Sequence, residues 1–142
     1  MKLKFLMPLF FLLISISTFA QKKEVKIRVP SESNLLLERQ IRLKDHNQKE
    51  TITVEVENDI YKINFNVQTR LVGGKMKIDI YNPDGEREGT FSVSTQLSET
   101  VSEVAMGQLN KEIFEPQPGI WKIVIDPKKA NAEISLSTSA EY

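Results

Sequence analysis

Oxygen-bearing side chains gather around the sequence N-P-D-G at residues 82–85, which is where this chain could bind a cation. They belong to Asp79, Asn82, Asp84, Glu86 and Glu88. Ca²⁺ prefers carboxylate and amide oxygens, although this spacing is not that of an EF-hand loop. Asn, Pro, Asp and Gly also form β-turns through their own backbone preferences. The pattern therefore predicts a β-turn, with a calcium site on Asp79, Asn82 and Asp84 as the open alternative, and we assign no cofactor or metal.

Catalytic chemistry has few residue types to draw on in this chain. His46 is the single histidine and lies in the polar stretch 44–49, which predicts an exposed loop histidine rather than a base or a metal ligand. The chain has no G-x-S-x-G sequence and no cysteine, which removes a nucleophile elbow, thiolate chemistry and disulfides. Scattered Asp and Glu leave a paired-carboxylate hydrolase open. We predict that the protein is not an enzyme and assign no catalytic residue.

Aromatic side chains are the remaining candidates for a binding surface. Trp121, the only tryptophan, lies in I-W-K-I-V-I, where apolar residues on both strand faces predict core packing. If the Trp121 side chain faced outward instead, it would stack on a sugar ring or anchor a partner. Tyr81 shares a predicted strand face with Lys75, Lys77 and Asp79 and is the better exposed candidate, whereas Tyr142 belongs to a frayed terminus.

The first twenty residues read as a secretory signal peptide. Lys2 and Lys4 precede an apolar run, and T-F-A at 18–20 supplies small residues for cleavage. The run is too short to span a bilayer comfortably and is broken by Pro8, so we expect no transmembrane segment after cleavage. Residues 21–142 then form one secreted or periplasmic domain of 122 residues, long enough for a single core.

The charge balance narrows the kinds of partner. Removal of residues 1–20 leaves 17 basic and 19 acidic residues, a net charge of −2. Such a balance predicts neither nucleic-acid binding nor attraction to an anionic membrane. We expect a protein or glycan partner.

Alternating apolar and polar residues predict short strands along the whole domain. The predicted strands cover residues 24–29, 34–44, 52–56, 61–71, 76–80, 91–93, 109–114, 120–125 and 132–136, with a further short strand near 101–106 left open. A helix is the alternative for 34–44. Polar or glycine-containing stretches predict a loop at 45–49 and turns at 58–59, 73–74, 82–85, 116–119 and 126–129. The strands at 52–56 and 61–71 are predicted to pair. The fold class is therefore all-β, an antiparallel two-sheet β-sandwich of jelly-roll type with eight or nine strands.

The order of elements from Tyr61 to Thr138 resembles a known family. An alternating strand and a glycine turn are followed by I-D-I-Y-N-P-D-G, by E-I-F-E-P-Q-P-G-I-W-K-I-V-I and by a last alternating strand. This looks like the bacterial prepeptidase C-terminal domain and related small secreted jelly-roll modules. The resemblance implies a non-catalytic accessory module that binds a partner or glycan, or supports an envelope assembly. A structural module that pairs through an exposed strand edge is a further alternative.

Overall fold

The computed structural model describes residues 34–95 and 103–142, which form one antiparallel sheet of six strands without a helix. The strands are β1 (Asn34–His46), β2 (Glu50–Val56), β3 (Lys62–Tyr81), β4 (Arg87–Ser94), β5 (Ala105–Phe114) and β6 (Gly119–Glu141). The all-β prediction is confirmed. No helix capable of crossing a lipid bilayer occurs in these two ranges. The expected signal peptide at 1–20 and the expected strand at 24–29 lie outside the described residues.

Strand β1 resolves the ambiguous stretch at 34–44 in favour of a strand, and pairing with β6 extends it to His46. The helix alternative is wrong because the stretch pairs residue by residue with β6. The expected loop at 45–49 shrinks to residues 47–49. Residues 105 and 106 of the stretch where a further short strand was left open form the start of β5, which continues into the strand predicted at 109–114.

The turn expected at Gly73-Gly74 is wrong, since both glycines lie inside the 20-residue strand β3. The register with β6 shifts on both sides of Gly73, and Gly74 has a φ of 86°. These shifts mark a β-bulge, which adds an unpaired residue and bends the strand. Buried apolar side chains occupy odd positions up to Leu71 and even positions from Met76 onwards. The extra residue therefore keeps the same face of β3 toward the core.

The turn expected at 126–129 is wrong for the same reason. Strand β6 runs through this stretch, and its buried positions change from odd to even between Pro127 and Ala130. Lys129 has a φ of 47°. Pro127, which cannot donate a ladder hydrogen bond, lies opposite Met76 of β3 and, on its other side, in the gap between the pairing of β6 with β1 and with β2. The irregularity faces that of β3, with Lys75 opposite Lys128. We call residues 73–75 and 128–131 together the double bulge.

The double bulge separates the sheet into two halves that share β3 and β6. In the first half, residues 62–71 of β3 pair with β5 and with residues 132–141 of β6, which also pair with β1. In the second half, residues 75–81 of β3 pair with β4 and with residues 122–128 of β6, which also pair with β2. The predicted pairing of 52–56 with 61–71 is therefore wrong. The chain leaves β2 in the second half and begins β3 in the first, so no hairpin forms.

The core lies on the inner face of both halves and contains Trp121. Its indole ring contacts Phe65, with ring centroids 5.6 Å apart, and its Nε1 donates a hydrogen bond to the Gln117 carbonyl at 2.8 Å. Phe65 belongs to the first half and Trp121 to the second, so this contact joins the two. Trp121 is 1% exposed, which confirms the core prediction.

Candidate functional site

The N-P-D-G sequence forms the predicted β-turn, and its side chains are occupied in building it. The Gly85 amide donates to the Asn82 carbonyl at 3.0 Å, closing the turn. Asn82 is buried, and its Nδ2 donates to the carboxylates of Glu86 at 3.3 Å and Glu88 at 3.2 Å. Its Oδ1 accepts the Glu86 amide at 2.9 Å. The two carboxylates are thus gathered by an NH₂ donor, and within residues 34–95 and 103–142 no three His, Cys, Asp or Glu side chains are arranged to hold a metal ion.

Asp79 does not join this group but forms ion pairs on the outer face of the second half. Its side chain is 8% exposed, with Lys77 Nζ 3.0 Å from Oδ2 and Arg87 Nη1 3.8 Å from Oδ1. Burial raises the pKa of Asp79, but hydrogen bonds from Thr90 and Lys77 and the charges of Lys77 and Arg87 outweigh it, so the net pKa lies below its usual value. A carboxylate held ionised in this way has a structural role and is a poor general acid.

Replacement of Asp79 by asparagine is expected to lower stability at neutral pH and to make little difference in acid. A carboxyl whose pKa is lower in the folded state stabilises the fold above its unfolded pKa of about 3.8, and that stability is lost as pH falls through the folded pKa. Urea unfolding at pH 7 and at about pH 2 measures this. Asp84→Asn, at an exposed turn position, is the control. A stability difference between wild type and Asp79→Asn that persists undiminished at low pH would contradict the assignment.

His46 lies at the end of β1 and not in an exposed loop as expected. Its side chain is 31% exposed, and Nε2 is 3.1 Å from Glu50 Oε1 without the geometry of a hydrogen bond. The contact spans the β1–β2 connection and is an ion pair only when the imidazole is protonated.

The outer face of the first half carries a group of uncharged polar side chains that the sequence analysis did not recognise as a unit. We call it the amide face; it consists of Gln40, Asn64, Asn66, Gln68, Gln108, Asn110, Ser135, Ser137 and Ser139. Their neighbours along each strand are buried in the core, so these side chains point outward. The strand register arranges them in transverse rows.

Two rows form the centre of the amide face. Asn66 lies opposite Asn110 on one side and Ser137 on the other. Gln68 lies opposite Gln108 and Ser135 in the same way, and Gln40 Nε2 donates to Ser135 Oγ at 2.8 Å. Neighbouring strands are about 4.8 Å apart, and same-face residues on one strand about 6.7 Å apart. The result is a grid of donors and acceptors across four strands, in which β1 contributes Gln40 opposite Ser135 and the carboxylate of Glu38 opposite Ser137.

One end of the amide face is aromatic. Phe114 lies opposite Lys62, the first residue of β3. Its side chain is 58% exposed and packs edge to face with Tyr61, with ring centroids 5.8 Å apart. Lys62 Nζ is 5.8 Å from the Phe114 ring centroid and 2.5 Å from a Glu141 carboxylate oxygen. The other end carries a charged row in which Arg42 is 3.6 Å from Glu133. The centre is mainly amide and hydroxyl, with the carboxylates of Glu38 opposite Ser137 and Glu112 opposite Asn64, and it lies between ends that carry lysine and arginine.

Tyr81 shares the outer face of the second half with Lys75, Lys77 and Asp79, as predicted, and is half-buried. It lies opposite Lys122 of β6 and Arg87 of β4. Its partly covered ring makes it a weaker platform than Phe114, which the sequence pattern did not single out.

An open cleft of about 610 Å³ lies beside the β2–β3 connection. It is lined by three carboxylates, those of Glu55, Glu57 and Asp59, together with residues that include Pro118 and Gly119. All three acidic residues are exposed to solvent. A general acid at neutral pH needs a desolvated carboxyl beside an ionised one, and no such contrast exists here.

A scan against protein-family models gives no match for this chain, and a search of curated proteins gives no significant sequence match. The amide face and the contacts described above are therefore the basis for inferring a function.

Proposed function

We propose that the chain is a small, secreted, non-catalytic β-sandwich module that binds a neutral glycan across the amide face. The observation that carries this proposal is the grid of amide and hydroxyl groups, edged by the Glu38 and Glu112 carboxylates, with exposed Phe114 at its end. Secretion rests on the leader at residues 1–20. The resemblance to prepeptidase C-terminal domains favours the same non-catalytic role.

The two-sheet arrangement is part of the proposal. The halves of the sheet are treated as two layers hinged at the double bulge, because the Phe65–Trp121 contact joins their inner faces. The strands β4 and β5, which pair with different parts of β3, also approach each other. A Cβ built on Gly107 would be only 2.6 Å from the Phe91 ring. Face-to-face packing buries two apolar faces without helices.

Glycan chemistry fits the amide face better than protein chemistry does. Sugar hydroxyls both donate and accept hydrogen bonds, and each Asn or Gln side chain offers an NH₂ donor and a carbonyl acceptor. Protein interfaces are enriched in aromatic residues and arginine and depleted in serine, whereas three serines line the middle of this face. An apolar sugar face could pack on Phe114, where aromatic and polar surfaces meet.

The test is native affinity electrophoresis through a panel of soluble neutral polysaccharides. We expect at least one to retard the wild type, and the double change Asn66→Ala with Gln68→Ala to weaken retardation about tenfold, since each hydrogen bond contributes about 0.5–1.5 kcal/mol. Thr53→Ala, an exposed position on β2, is the matched control. Equal retardation of the double variant and the wild type, at unchanged melting temperature, would reject the amide face as the site.

A carboxylate hydrolase is the second candidate, because Glu55, Glu57 and Asp59 line one cleft. The same incubations distinguish it when new reducing ends are assayed. The binding-module proposal expects none above background. Reducing ends made by the wild type and lost in Glu57→Gln would favour the hydrolase instead.

A further inference from the structure

The double bulge forms one wall of a second concave site, on which neither the amide face nor the acidic cleft depends. It is an open cleft of about 510 Å³ lined by Asn47, Gly74, Lys75, Thr95, Lys128 and Lys129. Three of the six lining residues are lysines, and none is acidic. We infer that this lysine cleft binds the oxyanion group, carboxylate or phosphate, of an acidic ligand.

The cleft places two positively charged side chains next to each other. Lys75 and Lys128 are directly opposite each other across β3 and β6, a cross-strand pairing that destabilises a sheet. A bound anion between the two ammonium groups would remove that repulsion. Asp126, 3.2 Å from Lys128 Nζ, compensates this repulsion only in part, because Lys75 has no carboxylate partner of its own among the described residues.

Few carboxylates lie near the lysines of the cleft. Asp126 is shared, with Oδ1 3.2 Å from Lys128 Nζ and Oδ2 3.8 Å from Lys49 Nζ. Among residues 34–95 and 103–142, no carboxylate oxygen lies within 4.0 Å of the Nζ of Lys75 or Lys129. The site therefore concentrates positive charge locally, although the chain as a whole has a formal net charge of zero.

Hydrogen bonds also hold the walls of the cleft in place. Thr95 donates twice to the Gly74 carbonyl, from its amide at 3.0 Å and from Oγ1 at 3.3 Å. On the other side, the Lys129 amide donates to Asn47 Oδ1 at 2.7 Å. Two separate segments, the end of β4 and the β1–β2 connection, are therefore tied to the double bulge. Preorganised walls reduce the ordering cost of binding.

Lysine chemistry sets the class of ligand. An ammonium is a compact point charge with three donors, which suits an oxyanion without selecting its geometry. Carboxylate and phosphate therefore share the expected chemistry, and the experiment must separate them. The inference is independent of glycan binding at the amide face, since Lys75 and Lys128 form the edge of the double bulge at which the second half of the sheet begins.

The test is calorimetric titration of the full chain with a short oligogalacturonide, with its methyl ester and with inorganic tripolyphosphate, at low and at about physiological ionic strength. We expect the wild type to bind the oligogalacturonide, the tripolyphosphate or both, and to bind them more weakly in salt. The uncharged ester should not bind. Which anion binds more tightly identifies the source of the oxyanion.

Lys75→Gln and Lys129→Gln should each weaken binding about two- to fivefold, the range of an exposed ion pair. The control, Lys122→Gln, removes the same charge from β6 about 20 Å along the strand from Lys128 and should leave affinity unchanged. Lys75→Gln should not lower the melting temperature, because it relieves the repulsion with Lys128. Binding of the ester as tight as that of the acid, undiminished binding by the Lys75→Gln, Lys129→Gln double variant, or an equal loss in Lys122→Gln would overturn the inference. Failure of the amide-face variants to bind neutral glycans would not contradict the inference of an oxyanion site in the lysine cleft.

Discussion

Replacement of Trp121 by alanine is expected to lower the free energy of unfolding by about 3–5 kcal/mol, the usual cost of truncating a buried tryptophan. Trp121 is 1% exposed, and its ring contacts Phe65 of the other half of the sheet. The change would leave a cavity where the halves meet and would remove the donor to the Gln117 carbonyl. Chemical denaturation measures the loss as a lower midpoint.

Trp121→Phe separates the two contributions. Phenylalanine keeps an aromatic ring against Phe65 but lacks the Nε1 donor, so we expect a clearly smaller loss than for alanine. Loss of this hydrogen bond, whose acceptor belongs to an exposed residue, costs about 0.5–1.5 kcal/mol. Stability of Trp121→Ala within about 1 kcal/mol of the wild type would refute the core assignment.

Replacement of Gly74 by alanine is expected to be the most damaging single-methyl change in the described sheet. A Cβ at this position would overlap the backbone carbonyl of Lys129 and lie 2.5 Å from that of Lys128. Both are main-chain atoms of β6, so relief requires moving one strand away from the other. We expect a loss of at least about 3 kcal/mol, because rigid overlap adds to the positive-φ penalty.

Gly85→Ala is the matched control for that experiment. Gly85 has a φ of 84°, nearly that of Gly74 at 86°, but a Cβ there meets no atom within 4 Å. Its substitution should cost only the left-handed backbone penalty of about 1–2 kcal/mol. Equal losses in the two variants would mean that φ, rather than the contact across the double bulge, determines the requirement for glycine. Differential scanning calorimetry of both proteins gives the comparison.

Local alternation was enough to predict most strands and the core position of Trp121. In β2, for example, Ile52, Val54 and Val56 face the core because side chains alternate at every residue. The bulges were mistaken for turns because Gly73-Gly74 and the D-P-K-K sequence at 126–129 have the composition of turns. Only pairing between β3 and β6 distinguishes a bulge from a turn at these points.

The amide face could not be predicted because it depends on register between distant strands. Asn66 meets Asn110 and Ser137 only through the pairing of β3 with β5 and β6. Each residue taken alone reads as an ordinary solvent-facing position. The lysine cleft has the same origin, since Lys75 and Lys128 become neighbours only across the double bulge.

The central position of β6 has a consequence for how the chain acquires its structure. Strand β6 pairs with β1, β2 and β3, and it follows all of them in the sequence. Strands β1 and β2 therefore have no partner in the sheet until β6 has been made. Pairing over such separations is slow, because loop closure costs entropy before contacts form. Before β6 is made, only the pairing of β3 with β4 and β5 can form, and the two N-terminal strands join the sheet last.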